Sequence, residues 1–359
     1  MLAVDQLVIA SSLETLGWAA VCRFLALPGF AGSEGRYVAI RYVAGRIAQA
    51  FVTFILFMVV IFVATRAAGD PAVLNLPADA SQADIQAARQ RIGTDRSYIV
   101  QFVIFLRDMA TFELGRSIVY GEPVTDLVGD RFVASLKLQL ASLALILFTA
   151  FPLGVLAATK RGTLPDRVAQ LLAAFGQAAP GFWVGLVLMA IFAVHLQWLP
   201  AGGMGTGSLD SWRYYVLPAV TTSLLLFSAM TRLLRSSMLE SLDAEFVKLA
   251  RAKGVPEWKV VWIHVFRNGL LPVMTFMAIW VGTAASGSVV TEVVFDWPGI
   301  GNLFLSAIIA RDFPLIQAVV GLVAVTVLTA NLIVDLLYGV VDPRIRVTAS
   351  AVQGTLQRG

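Results

Sequence analysis

The residues best suited to binding chemistry in this chain form one basic element between two long apolar segments. Phe246, Leu249 and Ala250 fall on one face of a helix with 3.6 residues per turn. Lys248 and Arg251 fall on another face. A short helix with an apolar and a basic face is suited to lie in the groove of a partner protein, and the alternative is a basic face that contacts only solvent. The whole element comprises Phe246, Leu249, Ala250, Arg251, Ala252, Lys253, Gly254, Val255 and Pro256.

Residues at both ends of this element predict where its helix begins and ends. Asp243 and Glu245 can cap and charge the first turn, because carboxylates stabilise the N-terminal end of a helix. Gly254 offers a position where a positive φ has no steric cost. Pro256 is a favourable first residue for a second helix. The sequence therefore predicts two short helices joined at Gly254, the first over residues 246–253.

No catalytic, nucleotide-binding or metal-binding pattern accompanies this element. The chain has no G-x-x-x-x-G-K-[ST] motif and no G-x-S-x-G motif. The two histidines, His195 and His264, lack a metal-ligand partner three or four residues away, so we expect interfacial or hydrogen-bonded side chains. Cys22 is the single cysteine, which excludes an intrachain disulfide. We therefore expect no bound cofactor or metal and no enzyme activity in this chain.

The elements that position the basic stretch are apolar runs of membrane-spanning length. The chain of 359 residues is 58% hydrophobic and 14% charged, against about 25% charged in soluble proteins. Because backbone groups in lipid must be paired within their own segment, each long run predicts a helix. The fold class predicted is all-α, a polytopic membrane bundle with six core helices and an extra N-terminal helix. The six runs are residues 47–65, 134–158, 168–194, 216–234, 271–290 and 318–340.

The positive charges predict the orientation of the bundle. Lysines and arginines concentrate in the short loops after the second and fourth runs and after the last run, which places those loops in the cytoplasm. Both termini are then expected inside, including the tail at 347–359, and nucleic-acid binding is not needed to explain the net charge of +4. Residues 1–40 predict an interfacial or accessory helix, with a seventh span or a misassigned start as alternatives. No cleaved signal peptide is expected.

Residues 66–130 form a long polar segment that is expected outside the membrane, since long loops translocate largely regardless of charge. A helical pattern lies around residues 82–92, and the apolar patch at 99–106 is too short to span.

Three further places carry candidate functional residues. Pro180 lies inside the third run and should kink or thin that helix, with Phe182 and Trp183 beside it as candidates for packing or for lining a pathway. Asp335 lies in the last run, and an acid at that depth is a candidate for structural pairing or a transport role. Trp297, in a Pro- and Gly-containing external turn, is expected to anchor at the interface and to pack there or, alternatively, to form a gate or docking surface.

Several motifs resemble the permeases of ABC importers, specifically the dipeptide/oligopeptide/nickel branch. Ala250-Arg251-Ala252-Lys253-Gly254 and the segment 267–272 are similar to the cytoplasmic coupling loop of that branch. Against the general pattern E-A-A-x-x-x-G, Lys248 replaces the glutamate and Leu249 the first alanine, which leaves the role of Lys248 open. Further matches lie at residues 68–71, 114–117, 120–124, 180–183, 198–203, 292–301 and 331–344, with Glu292 as a pathway or structural candidate in the sixth of these.

The resemblance covers residues 41–346 and implies a transmembrane permease domain with a coupling loop at 239–270. It implies a heterodimer with a second homologous permease, two cytoplasmic ATPase subunits that use ATP and Mg²⁺, and an extracytoplasmic substrate-binding protein. The complex would work by alternating access in a bacterial inner membrane, surrounded by lipid. Di- or oligopeptides are the expected cargo, with nickel chelates, glutathione, opines or sugars as alternatives. An ion-coupled secondary transporter and an intramembrane enzyme are the rival classes.

Overall fold

The computed structural model describes residues 33–70, 72, 80–205, 209–284 and 288–341, and the elements described below are helices. The first half of the chain contains α1 (Ser33–Ala67), α2 (Gln82–Ile92), α3 (Tyr98–Thr111), α4 (Val124–Thr159), α5 (Leu164–Ala178) and α6 (Gly181–Leu188), which continues as a π-helix (Met189–His195). The second half contains α7 (Trp212–Leu242), α8 (Glu245–Ala252), α9, α10 (Val289–Val294), α11 (Ile300–Ala310) and α12 (Phe313–Val341). Helix α9 is built from Glu257–Lys259, a π-helical stretch Val260–Val265, and Phe266–Ala284.

Five helices are long and apolar enough to cross a membrane, and counting one bent pair of helices as a single span gives six. The bent pair is α5 with α6 and its π-helical continuation, and the chain bends by 109° between the two parts. Ala179 is extended, as a residue before proline prefers, and Pro180 then caps α6. The predicted number of six spans is reached when this pair counts as one span, and the third is then a broken pair of helices where the sequence predicted one kinked helix.

Several spans differ from their apolar runs in extent, and α4 and α9 show the two kinds of difference. Helix α4 begins at Val124, about three turns before the predicted run, because polar residues such as Asp126 and Asp130 continue the helix beyond its apolar part. The helical chain of α9 begins at Glu257 and its last segment ends at Ala284, while the predicted run continued to residue 290. Hydropathy locates the part of a helix that suits lipid, and the helix itself continues into polar sequence.

The segment after α1 contains the two predicted features. Helix α2 spans Gln82–Ile92 and begins with a reciprocal capping box in which Ser81 and Asp84 pair with each other's backbone N–H groups. Helix α3 contains the predicted apolar patch and has 14 residues, fewer than a span requires. Of the predicted N-terminal extension, residues 33–40 are the start of α1, and residues 1–32 lie outside the described residues, as does the tail at 347–359.

The chain divides into two compact units, Met58–Val327 and a smaller unit formed by Met1–Phe57 with Leu328–Gly359. Helix α7 is central in the larger unit, where it packs against α4, α5, α6 and α9. Gly154 on α4 and Gly176 on α5 allow the close approach, since a side chain at either position would meet Leu234 or Ser228 of α7. The described part of the smaller unit, residues 33–57 and 328–341, is helical.

Candidate functional site

The basic element folds as a compact corner at one end of α7 and α9. Helix α8 ends at Ala252, and Gly254 follows with φ at +76°, as predicted. Pro256 is the N-cap residue of α9, one position before the first helical residue Glu257, whereas the prediction made Pro256 the first residue of that helix. Across this corner, the guanidinium of Arg251 donates two hydrogen bonds to the carboxylate of Glu257, at 2.7 and 3.2 Å. These hydrogen bonds raise the pKa of Arg251 and tie the two helices together.

The two faces of α8 differ from those predicted. Val247 is fully buried and Ala250 nearly so, in a cluster that includes Met238 of α7 and Val265 of α9. Leu249 points away from that cluster and is 56% exposed. The predicted grouping of Ala250 with Phe246 and Leu249 is therefore wrong, because the side of α8 that packs on its own chain is the Val247–Ala250 side.

An exposed surface remains for contact with another molecule. Phe246 is 43% exposed beside the exposed Leu249, an unusual place for two large apolar side chains beyond a membrane span. Lys248 is exposed and pairs with Glu245 at 2.7 Å. Of the remaining predicted residues, Val255 is partly buried, and those that are exposed are Arg251, Ala252, Lys253, Gly254 and Pro256.

The predicted cap of α8 is only half present. Glu245 occupies the first turn, where its charge stabilises the helix end. The N-cap residue is Ala244, and no side chain hydrogen-bonds to the first turn there, so the predicted capping by Asp243 is wrong.

The break in the third span presents its predicted residues outward. Pro180 is exposed, and about half of the surface of both Phe182 and Trp183 is exposed. The opposite side of α6 is packed, where Gly185 lies against Phe295 and Thr221.

Glu292 is fully buried and caps α11. Its carboxyl oxygens accept hydrogen bonds from the backbone N–H groups of Gly301 and Asn302, at 2.6 and 3.2 Å. They also accept one from the hydroxyl of Ser135 at 2.7 Å, and that hydroxyl accepts from the N–H of Ile300 at 2.8 Å. Together, Glu292 and Ser135 pair the N–H groups of the first turn of α11, which the helix itself leaves unpaired.

Trp297 lies in the turn between α10 and α11 and is also fully buried. Its indole N–H donates to the carbonyl of Ala134 at 3.0 Å, and its ring packs edge-on against Tyr215 at 4.7 Å. A side chain without exposed surface cannot anchor at the membrane interface. The anchoring part of the prediction is therefore wrong, and the packing part remains: Trp297 is a core residue that joins the turn between α10 and α11 to α4 and α7.

Asp335 lies in α12, and its side chain is outside the described residues. Two other acids have defined partners in the structure and were not predicted from the sequence. Asp166 is buried and binds Arg235 through two hydrogen bonds, at 2.6 and 3.0 Å, which joins α5 to α7. Asp312 is buried and accepts from the hydroxyl of Ser117 at 2.5 Å.

Local signals for both acids are present in the sequence. Asp166 follows a turn that contains Gly162 and Pro165, and its carboxylate accepts from the N–H of Gly162 at 2.9 Å. Asp312 directly precedes α12, where aspartate is a preferred N-cap. Their long-range partners have no such signal.

The packing around the turn between α10 and α11, which contains Phe295, can be tested at Gly202. A Cβ at position 202 would lie 2.5 Å from the carbonyl oxygen of Phe295, which also accepts from the N–H of Gly203 at 2.9 Å. We expect Gly202→Ala to destabilise the detergent-solubilised protein by about 1–3 kcal/mol, because the backbone would have to shift. The control is Gly181→Ala, where a Cβ meets nothing within 4 Å. Equal melting temperatures for the two variants would contradict this account of the packing.

Comparison with known proteins places the chain among membrane transport components. A family described as "Binding-protein-dependent transport system inner membrane component" matches residues 150–347. The chain is 37% identical over 308 residues to the "Glutathione transport system permease protein GsiC" of Salmonella typhi. The aligned residues cover 86% of this chain and 99% of that protein. The protein of the same name from Pectobacterium atrosepticum gives the same values. That from Escherichia coli strain K12 is 36% identical over 278 residues, 77% of this chain and 89% of its own length.

Proposed function

The chain belongs to the family of binding-protein-dependent transport system inner membrane components, and we propose that it forms half of the pathway of an ABC importer for small peptides. As a member it is a multi-pass permease subunit of the bacterial inner membrane and acts together with ATPases and a binding protein.

One observation carries the proposed cargo. The similar proteins from three bacteria are named as glutathione transport permeases, and they align with most of this chain. Glutathione is a tripeptide and therefore falls within the class of di- and oligopeptides that the motifs suggest. We propose glutathione or peptides of similar size. The three relatives described above are not named for nickel chelates, opines or sugars, which the motifs also allow.

The proposed complex contains this chain, a second homologous permease, two ATPases and an extracytoplasmic binding protein. ATP and Mg²⁺ would be bound by the ATPases. The proposed mechanism is alternating access. Closure of the ATPases opens the permease pair outward to receive cargo, and ATP hydrolysis returns the pair to its starting state. An ion-coupled carrier would instead transport with this chain alone, and it has no supporting observation.

The exposed side of α8 is the proposed contact with an ATPase. Phe246 and Leu249 provide apolar surface for a groove, while Val247 and Ala250 fix the helix to α7 and α9. A push on α8 would therefore be transmitted directly to those two spans. This proposal puts α8 and the C-terminus in the cytoplasm and residues 66–130 outside, as the distribution of basic residues supports.

Uptake by the purified complex in proteoliposomes, with the binding protein present, tests the cargo. We expect ATP-dependent accumulation of labelled glutathione, reduced by excess trialanine and unaffected by nickel–histidine or maltose. Liposomes without ATP serve as the control. Competition by the nickel chelate alone would contradict the peptide proposal, and uptake driven by a proton gradient without the ATPases would favour an ion-coupled carrier.

A further inference from the structure

A cavity of about 680 Å³ lies between α5, α7 and α9, and its α7 residues belong to the half of that helix nearer to α8. This volume is within the range of about 300–1,000 Å³ found for small-molecule sites. Its polar lining comes mainly from α5 and α7, and Phe276 of α9 contributes an apolar wall. The polar side chains that line it are Gln170, Gln177, Arg232, Arg235 and Ser236.

Helices α5 and α7 are in close contact on both sides of this cavity. On one side, Gly176 lies against Ser228 so closely that a Cβ would not fit. On the other side, Asp166 and Arg235 form their two hydrogen bonds. The opening between the two helices is therefore bounded by two close contacts and is a defined feature of the fold.

The charge inside the cavity is unbalanced. Arg235 is neutralised by Asp166. Arg232 forms no ion pair among the described residues, and its guanidinium donates one hydrogen bond to the uncharged amide oxygen of Gln177. A guanidinium has five N–H donors in a fixed plane, so donors remain for another acceptor. Such a plane fits the two oxygens of a carboxylate.

Arg232 lies so deep in the apolar part of α7 that its charge needs polar groups around it. It lies about 15 Å along α7 from the end at Leu242, inside the apolar run. An arginine at such depth faces water or protein, because exposure to lipid is costly. The side chain is exposed in this chain, so water or another molecule must cover it.

We propose that this cavity is a cargo site on the translocation pathway, in which Arg232 binds a carboxylate of the peptide. This inference depends on the proposed function, because it takes the cargo to be a peptide. Glutathione has two carboxylates, and an ordinary peptide has one at its C-terminus. The positive charge would hold the cargo in the cytoplasmic half of the pathway before its release. The same guanidinium could bind the phosphate of an anionic lipid, and the experiment separates the two.

Thiol protection in the assembled importer tests this site without the binding protein. Ser236→Cys is introduced together with Cys22→Ser, and labelling of this chain by a polar maleimide is measured in inverted vesicles. Trialanine and S-methylglutathione, which carry no free thiol, should slow the labelling, and trialanine amide should not. Arg232→Gln should raise the trialanine concentration needed for half-protection by at least about tenfold. Arg232→Lys, which keeps the charge, should have a smaller effect.

Arg167→Gln is the matched control, since Arg167 is exposed on α5 and does not line the cavity. It should leave protection unchanged. Equal protection by trialanine and its amide, or an unchanged Arg232→Gln variant, would overturn the proposal. Labelling that depends on phosphatidylglycerol content but not on peptide would identify the ligand as lipid and would also overturn it.

Uptake measured on the same preparations distinguishes a failure of the cavity site from a failure of the importer function. Peptide uptake by the wild-type complex without any protection would disprove the cavity site alone. Carboxylate-dependent protection without ATP-driven peptide uptake would disprove the proposed importer function while supporting the site.

Discussion

Gly254→Val is expected to stop cargo uptake while the protein remains inserted and paired with its partner permease. Gly254 has φ at +76°, where a β-branched residue costs on the order of 1–3 kcal/mol. A Cβ at this position meets nothing within 4 Å, so the strain would arise in the local backbone and not from a clash with a neighbouring element. The change would separate Arg251 from Glu257 and displace Leu249 on the surface proposed for the ATPase. Substrate-stimulated ATP hydrolysis and uptake in proteoliposomes should both fall at least about tenfold.

Two variants control for strain as such. Gly254→Asn should retain part of the uptake, because asparagine tolerates positive φ better than valine. Gly93→Val introduces similar strain at φ +80°, also in open space, at the end of α2. It should affect uptake much less. Wild-type ATPase stimulation by a fully assembled Gly254→Val complex would refute the coupling role of this corner.

Glu292→Ala is expected to prevent accumulation of folded protein. The carboxyl group pairs the N–H groups of Gly301 and Asn302 and the hydroxyl of Ser135, all within the interior. Each buried group left unpaired costs about 1–3 kcal/mol, and the truncated side chain leaves a cavity as well. The variant should give little monodisperse protein by size-exclusion chromatography and a lower melting temperature.

Glu292→Gln separates hydrogen bonding from simple removal of the side chain. Its amide oxygen can still accept from the two N–H groups of α11, so we expect an intermediate melting temperature. Glu240→Ala, at an exposed position on α7, is the control and should behave as the wild type. If Glu292→Ala folded normally but lost uptake, the residue would act in transport and not as a cap.

Features that depend on local sequence were predicted well. Apolar length located the spans, and Gly254 and Pro256 located the corner after α8, because helix ends depend on the conformational range of single residues. The site at Glu292 was predicted only as a functional or structural position. Its partner Ser135 lies on α4, 157 residues away in sequence, and no spacing pattern reports such a contact.

The errors have a common physical origin. The face of α8 that packs inward depends on where α7 and α9 lie, so Val247 was missed and Ala250 was placed with the exposed residues. Tryptophan is a typical residue of interfacial anchors, but the hydrogen-bond partner of Trp297, Ala134, belongs to a segment distant in sequence. The cavity around Arg232 likewise exists only after α5, α7 and α9 have packed.

The break at Pro180 restricts where the lipid annulus can contact this subunit. The last carbonyl groups of α5 and the first N–H groups of α6 have no helical partners, and the two axes diverge by 109°. Hydrocarbon chains provide no hydrogen bonds, so acyl chains are excluded from this sector of the perimeter. Phe182 and Trp183, which flank the break, would then be solvated by protein or by water. The subunit would therefore have an incomplete ring of boundary lipid, interrupted on the side where the third span turns.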